Sequence, residues 1–284
     1  MKVWGFLLIF FGIIIGWIVA IFFTVILFLS ANRLKVKAKE NEEKILSVFK
    51  SISLEKKNTL QDIFNLSGLI VSCSTLGFCK SIIGFYNDLN KLVGLGYARL
   101  QGISFTSGRQ IKGTLFYRDN YHEIVGKIQN GIIMVFLNNK EVGIIDLPGR
   151  KILDMKKKII GRIEVLPLIP EIPFVNVYWN IYRNNELLCQ PYAIKSDWEA
   201  IRAGLRTIKH PEVAAATITS LKDLVKLEDE KMTGRFIKLL QSNSIPKDLK
   251  LPLFSKKHVT SMTDQLAVLL ICISILTNSI GSCR

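Results

Sequence analysis

Acid–base side chains come close together in this sequence at one place, where Asp119 precedes His122 and Glu123. An Asp–His–Glu cluster can in principle move protons. Neighbouring residues of a strand point to opposite faces, however, so His122 and Glu123 are not expected to converge. The other two histidines, His210 and His258, fall before a proline and inside a lysine-rich stretch, which suits turn and surface roles. Gly102-Ile103-Ser104 opens like a nucleophile elbow but has Thr106 where the closing glycine belongs. Gly94-Leu95-Gly96 opens like a dinucleotide fingerprint, but Arg99 replaces its third glycine. The five cysteines, Cys73, Cys79, Cys189, Cys272 and Cys283, form no CxxC pair. They read as scattered thiols of a reducing compartment, with no disulfide framework or zinc site. The motifs therefore name no catalytic, cofactor-binding or metal-ligating residue.

Charge carries more information. The formal net charge is +15. All basic residues except Lys2 and Arg284, and all acidic ones except Asp264, lie between residues 31 and 263. A domain this basic is drawn to anionic lipid headgroups or nucleic acid. Nucleic acid is disfavoured, because the aromatic residues do not interleave with the basic ones as stacking platforms. The candidate contacts are Arg33, Lys35, Lys37 and Lys39, the run Lys156, Lys157 and Lys158, and the group Lys247, Lys250, Lys256 and Lys257.

Two apolar ends flank this basic middle. From Val3 to Ser30 no residue is charged, and the run exceeds the roughly 20 residues that span a bilayer core. It reads as an N-terminal transmembrane helix; a cleaved signal peptide would have a shorter apolar region. The lysines after it place residue 31 onward on the cytoplasmic side. Gln265–Cys283 is also charge-free, and as a helix it would reach about 28 Å. It is the candidate for a second transmembrane helix. Gly12, Gly16 and Ala20 form a small-residue ladder, and Ser274, Asn278 and Ser282 form a polar stripe. These faces are expected to pack on one another, within one chain or across a homo-oligomer. Ile63–Cys79 is a third uncharged run, read as a buried or re-entrant helix.

The intervening segments follow from their periodicity. Residues 33–95 read as a helical stalk followed by that apolar helix. Residues 96–195 carry short apolar runs between turn signals. Asn130-Gly131, Asn138-Asn139 and Asn184-Asn185 suit tight hairpins, and Pro148-Gly149 suits a type II turn. In the strand around Trp179, Val175, Val177, Trp179 and Ile181 should face a core, and the Tyr/Asn side should face out. Residues 196–245 read as a helical subdomain, opened by the capping box Ser196–Glu199. Residues 246–263 read as a basic juxtamembrane linker. The expected fold is thus membrane-anchored α+β. It has a transmembrane helix over 1–32, a central antiparallel meander closed as a small barrel or folded as a sandwich, C-terminal helices, and a second membrane helix over 264–284. The expected function is non-enzymatic binding or scaffolding at anionic lipid or a protein partner. The alternative is a membrane enzyme or transport-accessory subunit with a site on the β domain.

Overall fold

The computed structural model describes residues 42–55, 59–75, 78–101, 111–172, 175–194, 250–256 and 262–281, together with positions 16, 17, 20–22, 24, 25, 40 and 241. The chain divides into two units, Met1–Ser47 and Val48–Arg284. In the first, the described positions between 16 and 25 are helical, and Trp17, Ile21, Phe22 and Val25 are exposed. Most of the apolar N-terminal run lies outside the described residues. Among the described residues, no helix is long and apolar enough to cross a membrane.

The second unit is built on eleven consecutive antiparallel strands. These are β1 (Ser67–Thr75), β2 (Phe78–Tyr86), β3 (Leu92–Gln101), β4 (Lys112–Arg118), β5 (Glu123–Gln129), β6 (Ile132–Leu137), β7 (Lys140–Asp146), β8 (Lys151–Asp154), β9 (Ile159–Ile172), β10 (Val175–Arg183) and β11 (Glu186–Ile194). Each pairs with the next in sequence. Two short strands, β12 (Leu251–Pro252) and β13 (Phe254–Lys256), complete the sheet. Pro252 pairs with Ser67 on β1, while Lys256 pairs with Cys189 on β11. Only buried Leu253 separates β12 from β13, and its N–H donates to the Leu66 carbonyl at 3.3 Å. One six-residue segment therefore joins both edges of the meander. The sheet closes into a barrel in which this segment acts as the twelfth strand, so neither edge is left unpaired there.

Local chemistry sets the hairpins. Both residues of Asn130-Gly131, Asn138-Asn139 and Asn184-Asn185 have positive φ, as the tight hairpin turn requires. Pro148-Gly149 departs from expectation. The positive φ belongs to Arg150 (56°), and the Arg150 N–H donates to the Leu147 carbonyl at 3.2 Å. The turn follows a type I course with the left-handed residue one position later, so no type II glycine is used.

The last helix, α1 (Asp264–Gly281), fills the barrel. It touches β1 through β7 and β11. Every residue from Leu266 to Ile280 is buried. This corrects the expectation of a second transmembrane helix, because the segment is covered by strands rather than lipid. Its charge-free sequence from Gln265 onward does not say what will bury it, which explains the expectation. Barrel diameter grows with strand number, and twelve strands leave room that side chains alone cannot fill. The polar residues of α1 bond both to the wall, where Ser279 meets Ser81 and Gln265 donates to the Val142 carbonyl, and within the helix. Thr277 Oγ1 donates to the Ile273 carbonyl (2.7 Å), Asn278 Nδ2 to Ser274 (2.8 Å) and Ser279 Oγ to Ile275 (2.6 Å). Back-bonding of this kind lets hydroxyls and amides enter a core at little cost. Thr263 accepts the Leu266 N–H at 3.3 Å and starts the helix.

Two further expectations change. Ile63–Cys79 is no helix: a short 3-10 turn (Leu60–Asn65) leads into β1 and the start of β2. The sheet accordingly starts at Ser67, and the supposed linker supplies the closing strand. Cys79 is engaged in a disulfide, whereas Cys189 and Cys272 are free and buried. Scattered thiols therefore describe only part of the set. The expected helical subdomain over 196–245 lies outside the described residues, apart from Gln241.

Candidate functional site

With α1 buried against β1 to β7 and β11, that part of the interior is occupied by the protein itself. Function is therefore sought on the outer wall and at the rims. The lysine run falls at the β8–β9 turn, at the tip of a hairpin. The Asp154 carboxylate accepts the N–H groups of Lys156 and Lys158, each at 2.8 Å. The Lys157 N–H donates to the Asp154 carbonyl at 2.9 Å, and Lys157 takes a φ of 60°. One aspartate thus organises the turn backbone, in the manner of an Asx-turn. Lys156, Lys157 and Lys158 all stay exposed, as does Met155 (53%).

Beside this turn the outer wall is apolar. Met134 on β6 pairs with Ile144 on β7, Ile144 with Leu153 on β8, and Leu153 with Ile159 on β9. Residues paired across strands share a face. Met134 and Ile159 are exposed, at 39% and 53%, and Ile144 and Leu153 are half-buried. Their neighbours Ile133, Val135, Ile145 and Ile152 point inward and are buried. The strands are thus apolar on both faces here. A β-bulge between Ile152 and Leu153 sets Ile159 beside Leu153.

A second cluster lies on β9–β11. Tyr182 Oη donates to Glu164 (2.7 Å), and Asn180 Nδ2 donates to the same carboxylate (3.0 Å). Gln190 Nε2 donates to Asn180 Oδ1 at 2.9 Å, and the Arg162 guanidinium lies 5.1 Å from the Tyr182 ring centre. The Tyr182 hydroxyl, then the Asn180 amide, hold the Glu164 carboxyl below its usual range, and the same bond to Glu164 raises Tyr182. This is the Tyr/Asn face of the strand around Trp179. Trp179 and Ile181 point inward and are buried, as the alternation indicated. These polar side groups, of which Asn180 is buried, bond to one another and line no groove among the described residues.

The Asp119–His122 pair forms, but as a turn lock. Asp119 is buried and accepts the N–H groups of Tyr121 (2.8 Å) and His122 (2.7 Å), with His122 Nδ1 at 3.0 Å. Tyr117 Oη donates to it at 3.2 Å; burial first, then the Asp119 charge, pushes the Tyr117 phenol well up. Glu123 instead pairs with Lys50 at 3.3 Å. The glycines of Gly94-Leu95-Gly96 serve packing: a β-carbon at Gly94 would lie 2.7 Å from the Tyr117 hydroxyl, and one at Gly96 would lie 2.9 Å from Phe85.

Lys250 is corrected as a surface contact. It is buried, bonds Asn90 and sits 3.8 Å from the Tyr86 ring centre, where it lines a pocket of about 340 Å³ with Asn65, Ser67, Asn87 and Asp88. Arg33, Lys35, Lys37, Lys39, Lys247 and Lys257 lie outside the described residues, and Lys256 is placed by its backbone only. Ser274 and Asn278 are enclosed in the barrel, so they present no stripe to a membrane helix. Ala20 is exposed, Gly16 has open space around it, and Gly12 and Ser282 lie outside the described residues. Sequence reasoning missed the Met134–Ile159 row. Its signal was present in IIMVFL and EVGIIDL, where apolar residues occupy both phases of the alternation.

In comparisons with protein-family models, with curated proteins and with solved structures, nothing matches this chain.

Proposed function

We propose that the chain is a membrane-anchored, non-enzymatic binding or scaffold protein whose basic barrel docks on anionic lipid through the β8–β9 turn. The observation that carries this reading is the presentation of Lys156, Lys157 and Lys158 together at an exposed hairpin tip, ordered by Asp154. A barrel filled by its own helix favours an outer-surface role over carriage of a ligand inside. The N-terminal apolar run supplies the anchor in this reading. Each basic residue near an anionic leaflet contributes about 1 kcal/mol, and the attraction fades over a Debye length.

The test is amide hydrogen exchange on the full chain in nanodiscs of neutral lipid and of lipid containing phosphatidylserine. Residues 151–162 should exchange more slowly on the acidic discs. The protection should fade with salt and with the triple change Lys156→Gln, Lys157→Gln, Lys158→Gln. Equal exchange on both discs would refute docking.

A further inference from the structure

We infer that the apolar row Met134, Ile144, Leu153 and Ile159, with Met155 at the hairpin tip, inserts into the interfacial region of an anionic bilayer. This rests on the lipid-docking reading and adds the face, its orientation and its depth. The four paired residues stand on four adjacent strands, so the row crosses roughly 14 Å of wall at the usual strand spacing. Met134 and Ile159 are exposed at its two ends, and grouped apolar side chains on a sheet face suit an interaction surface.

Charge selects the occupant. The basic residues around the row are Lys127, Lys151, Lys156, Lys157, Lys158 and Arg162. The acidic ones are Glu141, exposed and opposite Phe136 on β6, with Asp146, Asp154 and Glu164, so the cations outnumber them six to four. Asp146 accepts the Gly149 N–H at 2.8 Å, Asp154 holds the lysine turn, and Glu164 is bonded by Tyr182 and Asn180. The face therefore offers apolar side chains bordered by cations, which is the composition of an interfacial membrane surface. Lysine stems can lie along the apolar row while their ammonium groups reach the phosphates. A second copy of the same face would bring like charges together, which disfavours self-association.

The chain's methionines provide the probe. Photo-methionine is incorporated throughout the full chain, which is then placed in acidic nanodiscs and irradiated; adducts are mapped by mass spectrometry. Lipid adducts are expected on the peptides carrying Met134 and Met155. Met262, which is buried, serves as the internal control and should carry none. The triple lysine-to-glutamine chain should lose both adducts. Exchange protection of residues 151–162 without adducts would mean headgroup docking without insertion, overturning this inference but not the reading beneath it. Absence of both protection and adducts would remove both. Protein–protein adducts at Met134 and Met155 would assign the face to a second copy and overturn the inference.

Discussion

The placement of α1 inside the barrel can be tested through one contact between residues far apart in sequence. A β-carbon added at Gly96 on β3 would lie 3.1 Å from Ile275 Cγ1 and 3.2 Å from Ile275 Cδ1, with Phe85 at 2.9 Å. Ile275 is fully buried. Ile275→Ala leaves a cavity and should cost about 2–5 kcal/mol. For a domain of this size that lowers Tm by about 4–20 °C. Gly96→Ala overpacks the same space and should cost about 1–3 kcal/mol. In the double variant the new methyl enters the space that Ile275 vacates, and only the Phe85 contact remains. The loss should then be smaller than the sum of the single losses by about 1 kcal/mol or more, within the usual range of coupling for residues in contact. The assay is denaturant and thermal unfolding of the full chain in mild detergent, followed by near-UV circular dichroism. Additivity to within about 0.5 kcal/mol, or an unchanged Tm for Ile275→Ala, would refute the contact. A helix facing lipid at this position would produce that result.

Four other outcomes follow. Replacing all three turn lysines by Gln should weaken partition onto acidic lipid by about 3 kcal/mol, about two orders of magnitude, as measured by exchange protection across lipid compositions. Asp154→Ala removes the acceptor for two turn N–H groups and one negative charge, whereas Asp154→Asn removes the charge but keeps an acceptor oxygen, so the Ala variant should dock more weakly than the Asn variant; equal docking would deny the turn its organising role. Cys189 and Cys272 should resist alkylation until the chain unfolds, since burial pushes both thiols well above the usual range, and non-reducing peptide mapping should find Cys79 disulfide-bonded. The hydrogen bonds from Tyr182 and then Asn180 hold the Glu164 carboxyl below the usual carboxylate range. The carboxyl's contribution to stability is therefore present above that range and is lost as pH falls through the folded pKa. Glu164→Gln should flatten the acid side of a Tm-against-pH curve, and an unchanged slope would discount the network.

A further consequence concerns fragments. A piece ending before residue 264 would lack the helix that fills the barrel, and should collect as a molten or aggregated species. Lipid binding is therefore measured on chains that keep α1.

Local chemistry was legible in the sequence. The Asn-Gly and Asn-Asn pairs set their hairpins because both residues tolerate positive φ, a property that needs no distant partner. The alternation around Trp179 gave the inward face for the same reason: side-chain period is a property of the strand itself. The lysine run could be read as exposed, since three consecutive cations are seldom buried. What surrounds each element was decided elsewhere. The apolar run of α1 does not itself say what will bury it, and only the eleven strands before it and the closing segment 251–256 make its neighbours protein. Lys250 looks like any other lysine of a basic stretch. Its burial depends on Tyr86 and Asn90, more than 150 residues away. The apolar row depends on register: Met134, Ile144, Leu153 and Ile159 lie on separate strands and become one surface only when the sheet aligns them.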